Sequence, residues 1–381
     1  MRRTLLAATA IVLAGPAAAD TLNVGLLATL SGQAAALGIQ SRDGFNLALK
    51  QLGGRLGGME THLAVIDDEL KPDVALGKVR TYLEREHPAF IVGPTYSNVL
   101  GAIAKPVTDA KVFLVSDNAG PSSMAGKGCN AFFLTTSYQN DQIHAVLGHY
   151  AQEQGYKRVI TLVPNYQAGR DSVAGFKRDY KGEVADELYV PLGQLDFSAE
   201  LARIASAKPD AVFAFMPGGS GVALVKQYRQ AGLTIPMLSA FTVDESTLPA
   251  QGDAAVGMLA GSNWSPALDN PQTKAFVTAF EAEYHYIPAT YAFQAFDAAM
   301  MIDSAVKHAK LDDPAAMRTA LLKADFTSLR GTLAYSSNGY PIQNFYLVQV
   351  AKRPDGKYQT EVKQTVYKAF ADDYAKDCPL H

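Results

Sequence analysis

The chain has 381 residues, of which 48% are hydrophobic, 19% charged and 9% aromatic. This is a globular composition, without the bias of disordered, collagen-like or coiled-coil sequences. Thirty-four basic against 37 acidic residues give a net charge of −3, and no Lys/Arg stripe is present, which argues against nucleic acid as a partner. At roughly 150 residues per domain the length predicts two lobes, with enough chain to bury both cores without a metal or cofactor.

Met1–Ala19 has the three parts of a secretory signal peptide: Arg2 and Arg3, an apolar stretch Leu5–Leu13, and the small residues Ala17, Ala18 and Ala19. Cleavage after Ala19 would leave Asp20 first. The apolar stretch is short for a membrane anchor, and Gly15-Pro16 breaks a helix there. Beyond residue 20 no apolar run approaches the ~18 residues that span a bilayer, so direct membrane insertion is not expected. Two cysteines in an oxidising compartment suggest a disulfide, Cys129 to Cys378, the alternative being two buried free thiols.

Strands then alternate with helices, the signature of a parallel sheet covered on both faces. Thr21–Ala28 reads as a strand ending at a Ser31-Gly32 turn. Phe45, Leu49 and Leu52 recur at helical spacing up to Gly53-Gly54. His62–Asp67, Ala89–Gly93 and Val112–Val115 follow as strands, with a helix face at Leu100, Ile103, Ala104 and Val107. A second set starts near Lys157, with strands at Arg158–Val163, Val184–Val190, Asp210–Phe215 and Ile235–Leu238. Its helices are read at Asn165–Tyr180, Ser198–Ala205 and Gly219–Ala231. From Asn270-Pro271, a helix cap, the pattern changes to two long helices, the second over about Ala289–Ala309. A hairpin, Gln343–Val350 with Lys357–Val362, closes the chain.

Enzyme signatures fail, so the chain is not expected to be an enzyme. His144 and His149 are five apart on a helix and share no face, so packing is the reading preferred for them. The run Gly218-Gly219-Ser220-Gly221 lacks the spacing of a nucleophile elbow. Gly126-Lys127-Gly128 lacks that of a phosphate loop, and the first strand leads to no dinucleotide motif. Asp67-Asp68-Glu69 reads as a solvated turn rather than a cation site. Binding is what remains. Three strand ends are polar and Gly-rich: Gly93–Ser97, Ser116–Gly120 and Pro164–Tyr166. Such ends present N–H groups able to cradle a carboxylate, although ordinary turns would look the same.

At these residues the chain resembles the leucine/isoleucine/valine-binding proteins, type I periplasmic solute-binding proteins of ABC importers. The likeness covers nearly all of residues 21–365. It rests on Leu30-Ser31-Gly32, Gly38 through Asn46-Leu47-Ala48, Ile91-Val92-Gly93-Pro94 and Val115-Ser116. Asn140-Asp141-Gln142, Asn165-Tyr166-Gln167-Ala168-Gly169 and the run Tyr228–Leu233 continue it. The resemblance implies an α/β fold of two doubly wound lobes joined by a three-crossover hinge. Lobe I would comprise residues 20–138 and 267–337, and lobe II residues 139–266 and 338–381. It also implies a periplasmic monomer that gathers a small carboxylate and docks on an inner-membrane permease; a sensory module or a secreted hydrolase is the alternative outside transport.

Carried over residue by residue, the ligand carboxylate would meet Ser97 and the segment Asn118, Ala119 and Gly120, beside Tyr96 and Leu37. Lobe II would add Tyr166. Where amino-acid-binding members carry an acid for the α-ammonium, this chain has Phe241. A buried ammonium without a counter-charge is costly, so the expected ligand is an aromatic acid of benzoate or cinnamate type. Asp244, three residues on, is the group that would serve a branched-chain amino acid or amide instead. Trp264 and Tyr291 are further aromatic candidates for the cleft. The likeness extends to members associated with aromatic carboxylates, through Tyr166–Gly169 and the closing Asp377-Cys378.

Overall fold

The computed structural model describes residues 21–380; the signal segment and its cleavage point lie outside them. Two α/β lobes are built on two sheets. The first contains β1 (Leu22–Ala28), β2 (Arg55–Leu56), β3 (Met59–Asp67), β4 (Phe90–Val92), β5 (Phe113–Ser116) and β6 (Phe133–Thr135). Their order is β2-β3-β1-β4-β5-β6, parallel except for the β2–β3 hairpin.

The second sheet contains β7 (Arg158–Pro164), β8 (Glu183–Val190), β9 (Ala211–Ala214), β10 (Met237–Ser239), β11 (Leu259–Ser262), β12 (Ala334–Tyr335), β13 (Pro341–Lys352) and β14 (Tyr358–Phe370). Its order is β12-β13-β11-β10-β9-β7-β8, with β14 on β13 and β13 antiparallel to β11. In each sheet the chain runs from its first parallel strand to a neighbour on one side and then to the other side. The order reverses between β1 and β4, and again between β7 and β9. Ligand crevices in open α/β sheets form beyond the strand ends at such points.

Alternation along the strands assigns the faces. Leu22, Val24 and Leu26 of β1 join Phe90, Phe113, Phe276, Phe280 and Phe293 in one core. Leu27, Ile91 and Leu114 face the other way, onto Val79, Val99, Leu100 and Ile103. The late helices Pro271–Tyr284, Thr290–His308 and Pro314–Lys323 therefore cover the first sheet, although the second sheet precedes them in the chain. Gly44 permits the closest of these approaches: a Cβ there would stand 2.0 Å from the Ala292 carbonyl oxygen. Trp264 belongs to this core too. It stacks on Phe293 and donates from Nε1 to Thr273 Oγ1 at 3.0 Å, so it is no part of the cleft.

The chain passes from one sheet to the other near residues 136–139, 263–270 and 324–340. A buried polar network ties these passages together. Arg330 pairs with Asp297 at 3.1 Å, donates to Gln343 Oε1 at 2.6 Å and also reaches the Thr136 carbonyl. Asn263 and Gln343 both donate to the Ser137 carbonyl, at 3.2 and 2.6 Å. Cys129 and Cys378 form the expected disulfide.

Several elements exceed or escape the sequence reading. The hairpin strands run to Lys352 and Phe370, and the helix Pro72–Glu86 and the short β2, β6, β11 and β12 were not anticipated. Asp68 is fully buried and accepts from Thr29 Oγ1 at 2.6 Å, which corrects the solvated-turn reading of residues 67–69. Among the described residues no helix is long and apolar enough to cross a membrane.

Candidate ligand-binding site

Beyond the two reversal points the strand ends face one another across a small cavity lined from both sheets. From the first sheet, the turn after β4 passes through a cis Gly93–Pro94 bond and delivers Thr95, Tyr96 and Ser97. Ser97 opens the helix Ser97–Asp109, whose first N–H groups and positive dipole end favour an anion. Asn118 and Ala119 follow β5, and Leu37 and Tyr291 come from the helices Ala35–Gln51 and Thr290–His308. Gln40 fixes the second of these: it donates to the Ile287 carbonyl at 3.1 Å and accepts from the Ala289 amide at 2.9 Å.

The second sheet contributes Tyr166 after β7, Phe215 after β9 and Phe241 after β10. Phe241 is held at φ 56°, in the left-handed region that costs a non-glycine residue about 1–2 kcal/mol. Strain of this kind persists where surrounding contacts determine the conformation. Here those contacts are rings: Tyr138 stacks on Phe241 at 5.4 Å, Phe215 meets it edge-on at 6.3 Å and Tyr291 lies 5.9 Å away. Tyr166 lies parallel to Phe215 and within 6.3 Å of Tyr96.

The structure thus gathers Ser97, Tyr96, Asn118, Ala119, Tyr166, Phe241 and Leu37 around one cavity. Gly120 is the exception. Its amide donates to Asn140 Oδ1 at 3.2 Å, and it sits behind the lining rather than in it. The Ala119 amide is also engaged, with the Pro94 carbonyl at 3.3 Å, so the backbone donors expected there are turned to the fold. Tyr138, Asn140, His144, Thr95 and Phe215 line the cavity without having been singled out for it.

Polar side chains of the lining divide into engaged and unengaged. Asn118 donates to the Thr95 carbonyl at 2.6 Å and accepts from the Tyr138 hydroxyl at 3.1 Å. Asn140 donates to Ser97 Oγ at 3.3 Å and Asp171 Oδ2 at 2.9 Å. Thr95 Oγ1 and His144 Nδ1 are buried without a partner. Burial pushes the His144 imidazole down to about 3, so it is neutral at physiological pH. Asp244 does not line the cavity; it is fixed by Ser246, and burial raises its carboxyl to about 6.

Contacts between the two halves close the cavity. Ser122, after β5, donates to Asp171 of the opposite helix through both its amide and its hydroxyl, at 3.1 and 2.7 Å. Gln33 reaches across to the Gly193 carbonyl at 3.1 Å.

Residues 21–357 match the family model described as "Periplasmic binding protein". The chain belongs to that family. It is a periplasmic solute-binding protein of the ABC-importer type, and the family is one of receptors for small ligands that work with a permease. A solute-binding protein of an ABC transporter from R. palustris, solved in complex with benzoate, is 32% identical with a TM-score of 0.90, covering 95% of this chain and all of that one. A second, from R. palustris BisB5 with 3,4-dihydroxybenzoic acid, is 28% identical with a TM-score of 0.82, covering 92% of this chain and 98% of that one. "Leu/Ile/Val-binding protein homolog 6" of Brucella melitensis is 28% identical over 385 residues, covering 97% of this chain and 98% of the relative.

Proposed function

We propose that this receptor captures a small aromatic carboxylate of benzoate or cinnamate type. The observation that carries the reading is the chemistry of the lining. Six aromatic rings and no Asp, Glu, Lys or Arg surround the cavity. A flat apolar body is well matched to Tyr96, Tyr138, Tyr166, Phe215, Phe241 and Tyr291, because offset and edge-on ring pairs add ~0.5–1.5 kcal/mol each beyond area burial. The carboxylate is held by the hydroxyls of Thr95 and Ser97 and the start of the helix Ser97–Asp109, dipoles that stabilise an anion without a full counter-charge.

An α-ammonium group finds no acid in this lining, and burying it unpaired is costly. Residues 20–138 with 267–337, and 139–266 with 338–381, act as the two lobes, and closure selects the liganded state because only then do both contact the ligand. The closed form is what docks on the permease. The benzoate complex of the R. palustris relative supports the ligand class.

Thermal melting of the mature protein against benzoate, cinnamate, leucine and isoleucine tests this. A ligand at one hundred times its dissociation constant stabilises by ~2.7 kcal/mol, several degrees for lobes of this size. Shifts confined to the aromatic acids are expected; a shift with leucine alone would assign the site to amino acids and bring Asp244 into it.

A further inference from the structure

Resting on the aromatic-acid reading, we infer that His144 is a specificity-determining residue that accepts a hydrogen bond from a ring hydroxyl, so that the ligand class is hydroxylated benzoates. Five polar side chains line the cavity besides the tyrosines, and they do not offer the same thing. Asn118 and Asn140 both donate to and accept from protein partners. Ser97 Oγ accepts from Asn140, which leaves its own proton free to donate. The Thr95 hydroxyl is buried with no partner. Thr95 and Ser97 are two residues apart at one helix start, and both line the side of the cavity built by the first sheet.

His144 is elsewhere. It sits one turn beyond Asn140 on the same helix face, about 5–6 Å away between Cβ atoms. Asn140 is the residue that touches Ser97, whereas the imidazole packs against Phe215 on the side of the cavity built by the second sheet. The imidazole is 2% exposed and lies edge-on to Phe213 and Phe215, at 5.7 and 5.0 Å. Its Nδ1 has no partner, whereas buried polar atoms are normally paired.

A neutral imidazole has one acceptor and one donor nitrogen. It is a poor partner for a carboxylate compared with two hydroxyls at a helix N-terminus. It is a good partner for a phenol, which supplies the proton that the ring nitrogen lacks. The two ends of the cavity therefore ask for two different groups on one ring: an anion at Thr95 and Ser97, and a hydroxyl at His144. Unsubstituted benzoate leaves the second end unfilled, at the cost of an unpaired buried nitrogen.

Calorimetry with benzoate, 3-hydroxybenzoate and 4-hydroxybenzoate on the wild type, His144→Phe and His144→Gln tests the inference. The wild type is expected to bind at least one hydroxybenzoate about tenfold more tightly than benzoate. His144→Phe should abolish that preference, and His144→Gln, which keeps an acceptor, should retain part of it. Equal or weaker binding of both hydroxybenzoates by the wild type overturns the inference even if neither variant folds. So does a preference that survives in His144→Phe. Binding of none of the three acids, with leucine bound, instead removes the aromatic-acid reading beneath it.

Discussion

Two buried polar regions of this molecule solve the same electrostatic problem in opposite ways. Where the chain passes between the sheets, full charges are buried and paired: Arg330 and Asp297 are almost completely covered, Arg330 donates to Gln343, Ser137 and Thr136, and Asp297 accepts from Ser328 and Leu329. In the cavity the lining carries no ionised Asp, Glu, Lys or Arg, and two of its polar atoms are left unpaired. The first arrangement balances its charges within the protein, although Arg330 Nε and Asn263 Oδ1 are themselves buried without a partner. The second balances no charge and leaves Thr95 Oγ1 and His144 Nδ1 without a partner at the cavity wall. Burial and unpaired atoms alone therefore do not distinguish a structural polar cluster from a recognition site; what separates these two regions is charge, paired in the first and absent from the lining of the second.

The comparison breaks first at the charged pair. Removing one member, as in Arg330→Met or Asp297→Ala, leaves an uncompensated buried charge and should cost about 3–5 kcal/mol in urea unfolding, whereas the double replacement should cost less. Single-variant losses below about 1 kcal/mol would mean the passages are held by their backbone and amides instead. Next in size is the pH dependence of stability. Burial pushes the Asp117 carboxyl up to about 7, against hydrogen bonding from Ser41 that lowers it. Between pH ~4 and 7 the folded state then holds a proton that the unfolded chain has released, so this group's contribution falls as pH rises through that window. Asp117→Asn should flatten the pH profile of the melting temperature by the equivalent of on the order of 4 kcal/mol. An unchanged profile would show that Asp117 titrates as an ordinary carboxylate.

Within the cavity, Ser97→Ala should weaken an aromatic carboxylate by about 1.5–3 kcal/mol in calorimetry, the scale of a hydrogen bond to a charged group, and leave the apoprotein's melting temperature nearly unchanged. A large loss of stability with no loss of affinity would move Ser97 from recognition to structure. The smallest effect belongs to the surface. Lys105 and Asp109 form an exposed i, i+4 pair at 2.7 Å, and Lys105→Ala should change stability by no more than about 0.5 kcal/mol. A larger change would mean that surface charge matters more here than in either buried region.

Much of this was legible in the residues. Alternating apolar runs and helical spacings located most strands and helices, because a sheet covered on both faces demands them. The polar strand ends at residues 93–97, 116–120 and 164–166 each delivered a cavity residue: Ser97, Asn118 and Tyr166. The resemblance supplied the order in which late helices return to the first sheet, which periodicity does not contain. Phe215 and Tyr138 escaped because a single aromatic at a strand end reads as core. His144 escaped for a related reason: a helical histidine among apolar residues looks the same whether its ring meets packing or a cavity, and here it meets both. Trp264 erred in the other direction, since its neighbours in the sequence do not reveal the Phe276–Phe293 stack that receives it. Gly120 lies outside the cavity lining, and nothing in the sequence shows that Asn140, twenty residues on, accepts from its amide.

The bond between Cys129 and Cys378, separated by 249 positions, turns most of the chain into a covalent ring, and all three passages between the sheets lie inside it. A protease that cuts once at any passage therefore releases nothing: the fragments stay joined through sulfur and run as one band until a reductant is added. In a compartment where proteins are exposed to hydrolysis and not rebuilt, a single nick does not separate the two halves of the receptor.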